Sequence, residues 1–231
     1  MKNFCVINFS GNTGKTTVAG MLKDRNPTAS VYSVESINDG DASAEKVRGE
    51  QYGQLIEDVM MGDGSIVDVG SSNVERFIAA MAQYRGTHNE FDYFVIPAIR
   101  DVKQLKDTVG TVLALEQIGI PAKKIKVVFN RLLPYENVED VFAPLIRLHE
   151  EKKNFDLRLK AVIEENEIYQ QLREIGESVS SLLANETDWD LVRREAKDKE
   201  EKYHAVRMKS LKGLAESANE NLDKCYKALG L

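Results

Sequence analysis

A glycine-containing segment near the N-terminus, N-F-S-G-N-T-G-K-T-T at residues 8–17, carries residue types that bind phosphate. Gly11 and Gly14 allow the backbone to turn its N–H groups toward an anion, and a following helix adds the partial positive charge of its N-terminus. The usual phosphate loop, G-x-x-x-x-G-K-[ST], has its first glycine where this chain has Phe9. The segment predicts a phosphate-binding loop of altered spacing; a plain glycine turn before a helix is the alternative.

The residues that end this loop predict contacts to a nucleoside triphosphate and its metal ion. Lys15 would reach the β- and γ-phosphates, the Thr16 hydroxyl would ligate Mg²⁺, and Thr17 would contact the α-phosphate. Such a site needs an acid at the end of a neighbouring strand to hold hydrated Mg²⁺. We expect Asp68 there, because it lies near the end of the apolar stretch S-I-V-D-V-G and ligands gather at the carboxyl ends of parallel strands. Asp92 begins its apolar run and would face the opposite edge.

Short apolar runs alternate with helical patterns over most of the chain. The predicted strands are 3–9, 29–37, 65–70, 91–98, 125–130 and 157–163. The predicted helical segments are 16–23, 42–60, 71–84 with a serine N-cap, 102–118 and 138–148. This order predicts an α/β fold with a doubly wound, mostly parallel sheet flanked by helices, as in P-loop NTPases.

The pattern changes near residue 188, because 190–229 contain no strand signal and no proline. An apolar stripe at helical spacing is formed by Leu211, Leu214, Ala218, Leu222, Cys225 and Leu229. We therefore expect a P-loop nucleotide-binding domain at 1–187 and a helical C-terminal extension at 188–231. Packing of the stripe on the protein's own core is favoured over a partner interface.

Composition limits the classes of protein that remain. A hydrophobic content of 42% with 29% charged residues is ordinary for a globular chain, and no apolar run is long enough to span a membrane. The net charge of −6 argues against nucleic-acid binding by bulk electrostatics. Two cysteines and three scattered histidines predict no metal cluster, and the chain is expected to be cytoplasmic.

Taken in order, these motifs resemble the ParA/MinD group of deviant-Walker P-loop ATPases, and within it the small plasmid stability proteins, over about residues 1–182. The family loop K-G-G-x-G-K-[ST]-[ST] aligns without gaps to S-G-N-T-G-K-T-T, with Asn12 in place of the second glycine. The resemblance therefore assigns cofactor binding to the whole loop: Ser10, Gly11, Asn12, Thr13, Gly14, Lys15, Thr16 and Thr17.

Later segments extend the resemblance. The family's Walker B strand is similar to S-I-V-D-V-G-S-S, and the strands that follow it are similar to F-D-Y-F-V-I-P and K-V-V-F-N-R. The family's closing strand, helix and glycine-serine turn are similar to the stretch 161–179. In relatives the asparagine of N-R reads the adenine edge, which nominates Asn130 with Arg131 beside it. ATP and Mg²⁺ are the implied cofactors. The implied catalytic residues are Lys15, Asp68 and Glu35, and the implied metal site consists of Thr16, Asp68 and Glu35.

The chain also departs from the family. Ser10 stands where relatives have a signature lysine that reaches the partner subunit's phosphates. The family's D-x-D pair aligns with Glu35 and Ile37; Glu35 can serve the metal, whereas orienting water would fall to Asp39 or Asp41. A cation supplied across an interface can be worth on the order of 10³–10⁵ in rate. We therefore expect nucleotide binding to survive and hydrolysis to be slow.

The resemblance implies an ATP-gated switch that forms a homodimer when ATP is bound and acts in plasmid stability, segregation or DNA positioning. Its expected partner is a plasmid-encoded DNA-binding adaptor, so that contact with DNA is indirect, and weak or partner-stimulated ATPase activity is expected. Two alternatives stay open. One is a nucleotide-binding scaffold with little or no hydrolysis, and the other is a small-molecule P-loop kinase or ligase.

Overall fold

A computed structural model describes residues 1–35, 45–47 and 51–231 of the chain. Within these residues the strands are β1 (Asn3–Val6), β2 (Ser30–Val34), β3 (Glu45–Val47), β4 (Ser65–Val69), β5 (Tyr93–Ala98), β6 (Ile125–Leu132) and β7 (Val162–Glu164). They form one sheet in the order β3-β2-β4-β1-β5-β6-β7, and all neighbours pair in parallel. This doubly wound parallel sheet confirms the predicted fold class.

The helices of the described residues lie on both faces of the sheet. They are α1 (Lys15–Arg25), α2 (Tyr52–Met61), α3 (Val74–Gln83), α4 (Val102–Gln117), α5 (Val138–Val141), α6 (Ala143–Lys152), α7 (Ile168–Ile175), α8 (Val179–Ala184), α9 (Trp189–Glu195) and α10 (Lys199–Leu229). Because side chains alternate across a strand, Phe4 and Val6 of β1 pack with α1 and α10, whereas Cys5 and Ile7 face the core formed with α2, α3, α4 and α6. The near-continuous apolar run is thus buried on both faces.

The segment predicted as helical at 42–60 is partly wrong. Residues 45–47 form the edge strand β3, in which Val47 pairs with Val34 of β2, and α2 spans Tyr52–Met61. Residues 42–44 and 48–50 of the predicted segment lie outside the described residues. The apolar spacing that suggested one helix is divided between a strand and a helix, because pairing with β2 overrides the local pattern.

The predicted serine N-cap of the next helix is also wrong. Ser71–Asn73 form a short 3₁₀ turn, and α3 begins at Val74 with no side-chain capping bond. The Asn73 amide instead donates to the carbonyl of Val34, 3.3 Å away, so a contact with β2 replaces the local cap.

Other boundaries also differ from the prediction. The strand expected at 3–9 ends at Val6, and the one expected at 29–37 ends at Val34, with residues 36–37 outside the described residues. The helix expected at 138–148 is divided into α5 and α6 around the fully buried Phe142. The last strand is only Val162–Glu164, because the Ala161 N–H donates to the Arg158 carbonyl and closes a turn where a longer strand was expected.

The apolar stripe of α10 packs on the protein itself, as predicted. Leu222, Cys225 and Leu229 join the core on the α1 side of the sheet, while Leu211 and Ala218 pack with α7 and α8. Ion pairing strengthens this contact: Arg25 of α1 lies 2.7 Å from Asp223 and also bonds the Asn219 side chain. None of the helices in the described ranges is long and apolar enough to cross a membrane. A domain boundary near residue 188 stays a prediction.

Candidate functional site

The loop between β1 and α1 turns through two residues in the left-handed region. Gly14 has φ 95° and Asn12 has φ 57°. Asparagine tolerates this conformation better than most side chains, so Asn12 can occupy the family's second glycine position without redirecting the backbone. Gly14 has a second constraint, since a Cβ there would lie 2.1 Å from the Asn130 amide nitrogen. Only glycine fits that position without displacing a neighbour.

Lys15 is the first residue of α1, directly after the loop, and it is buried. Its amine donates to the Ser10 carbonyl at 2.8 Å and lies 3.5 Å from the Asn8 carbonyl. Burial lowers the pKa of this amine, and the Asp68 carboxylate offsets part of that effect. The loop therefore holds a cation among backbone groups, where an anionic ligand would be stabilised strongly.

Asp68 and Thr16 meet at the carboxyl edge of the sheet. The Thr16 hydroxyl donates to one Asp68 oxygen at 3.1 Å, while the other oxygen is buried without a hydrogen-bond partner among the described residues. Burial raises the pKa of Asp68 to about 6; the Thr16 bond and the Lys15 charge lower it, and the Glu35 charge raises it further. Mg²⁺ prefers such hard oxygen ligands, so this hydroxyl and carboxylate fit the ion implied by the resemblance.

The remaining predicted metal ligand, Glu35, follows β2 directly and is exposed. Its charge acts on Asp68, but no hydrogen bond joins the two carboxylates. Ile37, Asp39 and Asp41 lie outside the described residues, and the assignment of the water-orienting acid stays a prediction.

Asn130 ties β6 to the loop. Its amide donates to the Thr13 carbonyl at 2.7 Å, and its oxygen accepts from the Arg131 N–H at 2.9 Å. Arg131 itself has φ 57°, and the pairing of β6 with β7 is irregular at this point. The Thr13 hydroxyl is buried with no hydrogen-bond partner in the part of the chain that the structure describes. Contact of Asn130 with an adenine edge stays a prediction.

A cavity of about 500 Å³ opens beside the loop. Of the predicted residues, those that line it are Asn12, Gly14, Lys15, Thr16, Thr17, Asn130 and Arg131. The predicted residues that lie outside its wall are Ser10, Gly11, Thr13, Glu35 and Asp68. The volume falls in the range of small-molecule sites. The end of the cavity beside the loop is polar, and the adjoining wall includes Met21, Leu172 and Leu222.

Sequence reasoning missed the far wall of this cavity. The additional lining residues from the C-terminal third are Tyr169, Leu172, Arg173, Glu177, Ser178, Val179 and Leu222. Most lie in the stretch 161–179 that the resemblance had already marked as the closing helix and turn, so a signal was present. No sequence signal marked Leu222, because a position in an apolar stripe does not show which cavity the residue borders.

Ser10 is the predicted residue whose surroundings differ most from expectation. Its hydroxyl points to its own subunit and donates to Asp107 of α4 at 2.6 Å, and the residue is buried. Gln104, which is close to Asp107 on α4, donates to the Gly11 carbonyl at 2.9 Å. Neither Asp107 nor Gln104 belongs to a recognisable motif, and neither was predicted as part of the site.

Solved structures share this architecture at low sequence identity. MinD from Aquifex aeolicus superposes with a TM-score of 0.56 at 14% identity, over 100% of this chain and 98% of that chain. A chain of the MinC:MinD complex from Aquifex aeolicus gives 0.53 at 13% identity, covering 78% of this chain and 88% of its own. Apo McdA from Cyanothece superposes with a TM-score of 0.52 at 18% identity, over 79% of this chain and 93% of that chain.

No protein-family model and no curated protein matches the chain. The structural likeness nevertheless identifies the fold as that of MinD, a parallel P-loop sheet with helices on both faces.

Proposed function

We propose that this chain is a ParA/MinD-type ATPase switch that binds MgATP at the loop and forms a homodimer when ATP is bound. The observation that carries the proposal is the Thr16–Asp68 pair with its unpartnered carboxylate oxygen, adjacent to a loop that holds a buried lysine. A buried acid and a buried amine with few protein partners are costly in an unliganded fold. Phosphate and Mg²⁺ would satisfy both.

The proposed roles follow from position. Lys15 would neutralise charge on the β- and γ-phosphates, and Thr17 would contact the α-phosphate. Thr16 and Asp68 with Glu35 would hold the metal. The ion held by these residues would supply positive charge against the phosphates. Asn130 and Arg131 line the cavity beside the loop and would contact the nucleoside.

The biological role we propose is plasmid stability, segregation or DNA positioning, in the manner of the plasmid stability protein StbB. It rests on the resemblance over about residues 1–182. The partner would be a plasmid-encoded DNA-binding adaptor, and the contact with DNA would be indirect. That a MinD fold can engage a partner protein is illustrated by the MinC:MinD complex.

Slow hydrolysis is part of the proposal. Position 10 is a serine, which has no charge to supply to a partner, and its hydroxyl bonds Asp107 of the same chain. Loss of such a cation can cost on the order of 10³–10⁵ in rate. The same contact favours a nucleotide-binding scaffold with little or no hydrolysis as the second candidate.

The test is the molar mass in solution by light scattering, with Mg-ATP, with Mg-ADP and without nucleotide. We expect a dimer with Mg-ATP alone. Lys15→Ala should abolish it, whereas Lys103→Ala, which removes an exposed lysine from α4, should not. A constant monomer that turns over ATP would instead support the kinase or ligase alternative. Unchanged mass together with bound but unhydrolysed nucleotide would support the scaffold.

A further inference from the structure

Four consecutive residues in the first half of the loop are each bonded to one side of α4. The bonds run from Asn8 Nδ2 to Thr108 Oγ1 (2.8 Å), from Phe9 N to Thr111 Oγ1 (3.1 Å), from Ser10 Oγ to Asp107 Oδ2 (2.6 Å) and from Gln104 Nε2 to the Gly11 carbonyl (2.9 Å). Positions 104, 107, 108 and 111 follow the i, i+3, i+4, i+7 spacing of a single helix face. We call these four residues the loop-facing side of α4.

Polar residues on this inward side need an explanation, because an amphipathic helix usually buries apolar ones there. Thr108 and Thr111 are fully buried. Each hydroxyl donates to the carbonyl four residues earlier, at 2.8 Å, and thereby offers its oxygen to a donor from the loop. The four bonds that join this side to residues 8–11 are directional. A set of satisfied buried hydrogen bonds fixes one geometry more strictly than apolar packing does.

The loop-facing side of α4 is connected to the phosphate-binding amine through Ser10. The Ser10 side chain bonds Asp107, while the Ser10 backbone carbonyl accepts from Lys15 Nζ at 2.8 Å. Fixing Ser10 therefore fixes an acceptor of the lysine. We propose that Asp107 is a positioning residue, which acts through Ser10 to set the first half of the phosphate loop and the Lys15 amine.

Asp107 could also affect the site simply as a negative charge. It is a half-buried carboxylate beside a loop that we propose binds phosphates, and a nearby like charge would weaken anion binding. The two effects have opposite signs. Removing a positioning residue weakens ligand binding, whereas removing a repelling charge strengthens it.

The experiment compares Asp107→Ala, Asp107→Asn, Ser10→Ala and the double variant Asp107→Ala with Ser10→Ala. Lys106→Ala, an exposed neighbour on the same helix, is the control. Asparagine keeps an acceptor for the Ser10 hydroxyl but removes the charge. Two readouts are taken: amide hydrogen exchange of residues 9–14 in the ligand-free protein, and the affinity for MgATP by calorimetry.

We expect Asp107→Ala to speed exchange in residues 9–14 and to weaken MgATP binding, each by about tenfold, the scale of one lost hydrogen bond to a charged group. Asp107→Asn should lie within about threefold of the unmodified protein. The double variant should be no worse than Ser10→Ala alone, since both changes break the same connection. Exchange in β6 should not change, which separates a local effect from general destabilisation.

The proposal is overturned if Asp107→Ala leaves loop exchange unchanged, or if alanine and asparagine both tighten MgATP binding. Only the affinity readout rests on the proposed function. If the unmodified protein binds no MgATP but Asp107→Ala still speeds loop exchange, the proposed function fails and the positioning role stands. If Asp107→Ala does not fold, Ser10→Ala breaks the same bond and decides the question with the same two readouts.

Discussion

The amino-terminal and carboxyl-terminal edges of the sheet each hold a lysine and an aspartate that are largely withdrawn from solvent. At the amino-terminal edge Lys126 of β6 pairs with Asp156, and the other Asp156 oxygen lies 3.0 Å from the Arg158 side chain. Burial alone would raise the pKa of Asp156, but its bonds and charges with Lys126 and Arg158 outweigh burial and lower it. The Lys126 amine also lies 5.2 Å from the centre of the Tyr93 ring.

At the carboxyl-terminal edge the corresponding lysine and aspartate are Lys15 and Asp68, and the hydrogen bonding of Asp68 is incomplete. Asp68 accepts one hydrogen bond, from Thr16, and keeps a buried oxygen without a partner among the described residues. Burial dominates here and raises the pKa of Asp68 to about 6. Within the described ranges, the hydrogen bonds of the Lys15 amine go to the backbone carbonyls of Ser10 and Asn8.

Such a difference is expected between charges that serve the fold and charges that serve the proposed site. A buried charge whose partners all come from the protein is satisfied within the fold, and removal of one partner destabilises the fold. A buried charge without such partners raises the free energy of the ligand-free protein, which a ligand of opposite charge can recover. The predictions that follow test this contrast from the largest expected effect to the smallest.

The largest effect is expected for Gly14→Ala in the loop. A Cβ there must displace the Asn130 amide and break its bond to Thr13, so MgATP binding should weaken on the order of 100-fold, about 2.7 kcal/mol. Gly86→Ala is the matched control, because Gly86 has nearly the same φ, 92°, but no atom within 4 Å of the added Cβ. Calorimetry of MgATP binding measures both. Equal losses in the two variants would show that general destabilisation by a strained turn, and not the space beside Asn130, is responsible.

At the amino-terminal edge, Asp156→Asn should destabilise the fold. It removes the charge that Lys126 and Arg158 share and leaves a buried lysine without its counter-ion. We expect the free energy of unfolding in urea at pH 7.5 to fall by about 2–3 kcal/mol, less than for a fully buried pair because Asp156 is partly exposed. MgATP affinity should not change. A stability equal to that of the unmodified protein would contradict a structural role for this pair.

At the carboxyl-terminal edge, Asp68→Asn should have the opposite sign and stabilise the ligand-free protein by about 2 kcal/mol at pH 7.5. The folded pKa of about 6 lies above the ordinary value of 3.8, so the folded state binds the proton more tightly than the unfolded state does. The unmodified protein therefore loses stability as the pH rises from about 4 to about 6. Asparagine cannot ionise, so the difference between the two proteins should vanish near pH 4.

Urea unfolding of Asp68→Asn and the unmodified protein over pH 4–8 gives that difference, because other titrating groups are common to both. The variant should also lose the dependence of ATP affinity on Mg²⁺. If Asp68→Asn were destabilising at pH 7.5, the carboxylate would have protein partners that satisfy it, and the contrast between the edges would fail.

The smallest effect is expected for Asp92→Asn, at the amino-terminal edge. Asp92 accepts from the Asn3 N–H at 2.7 Å in an exposed position, where such a bond contributes about 0.5 kcal/mol or less. Thermal unfolding should shift only slightly, and MgATP binding should be unaffected. A change in ATP affinity like that of Asp68→Asn would refute the assignment of the site to the carboxyl edge.

Much of this arrangement could be predicted from sequence, because the signals are local. A run such as F-C-V-I between polar residues predicts a strand buried on both faces, and it became β1. Asp68 was placed at the ligand-binding edge by its position near the end of a strand, and Asp92 at the other edge by its position before one. The prediction that this loop binds phosphate came from its glycines and its lysine. Chain direction and side-chain type suffice for these conclusions.

What the sequence could not predict depends on partners distant along the chain. β3 exists because it pairs with β2, and Asn73 turns to Val34 instead of capping α3. The polar loop-facing side of α4 carries no recognisable motif, since its meaning lies in residues 8–11, about a hundred positions earlier. Ser10 could be recognised as a missing lysine, but not as a residue bonded within its own subunit.

The sequence by itself therefore determined which residues carry charge, which strands are buried, and at which edge of the sheet the phosphate loop and its acid lie. Only the tertiary structure decided which of those charges are satisfied. Hydrogen bonds and burial depend on distances of a few ångströms between segments that are remote along the chain, and no local pattern encodes them. For that reason the pKa of Asp68 is raised while that of Asp156, the same residue type, is lowered.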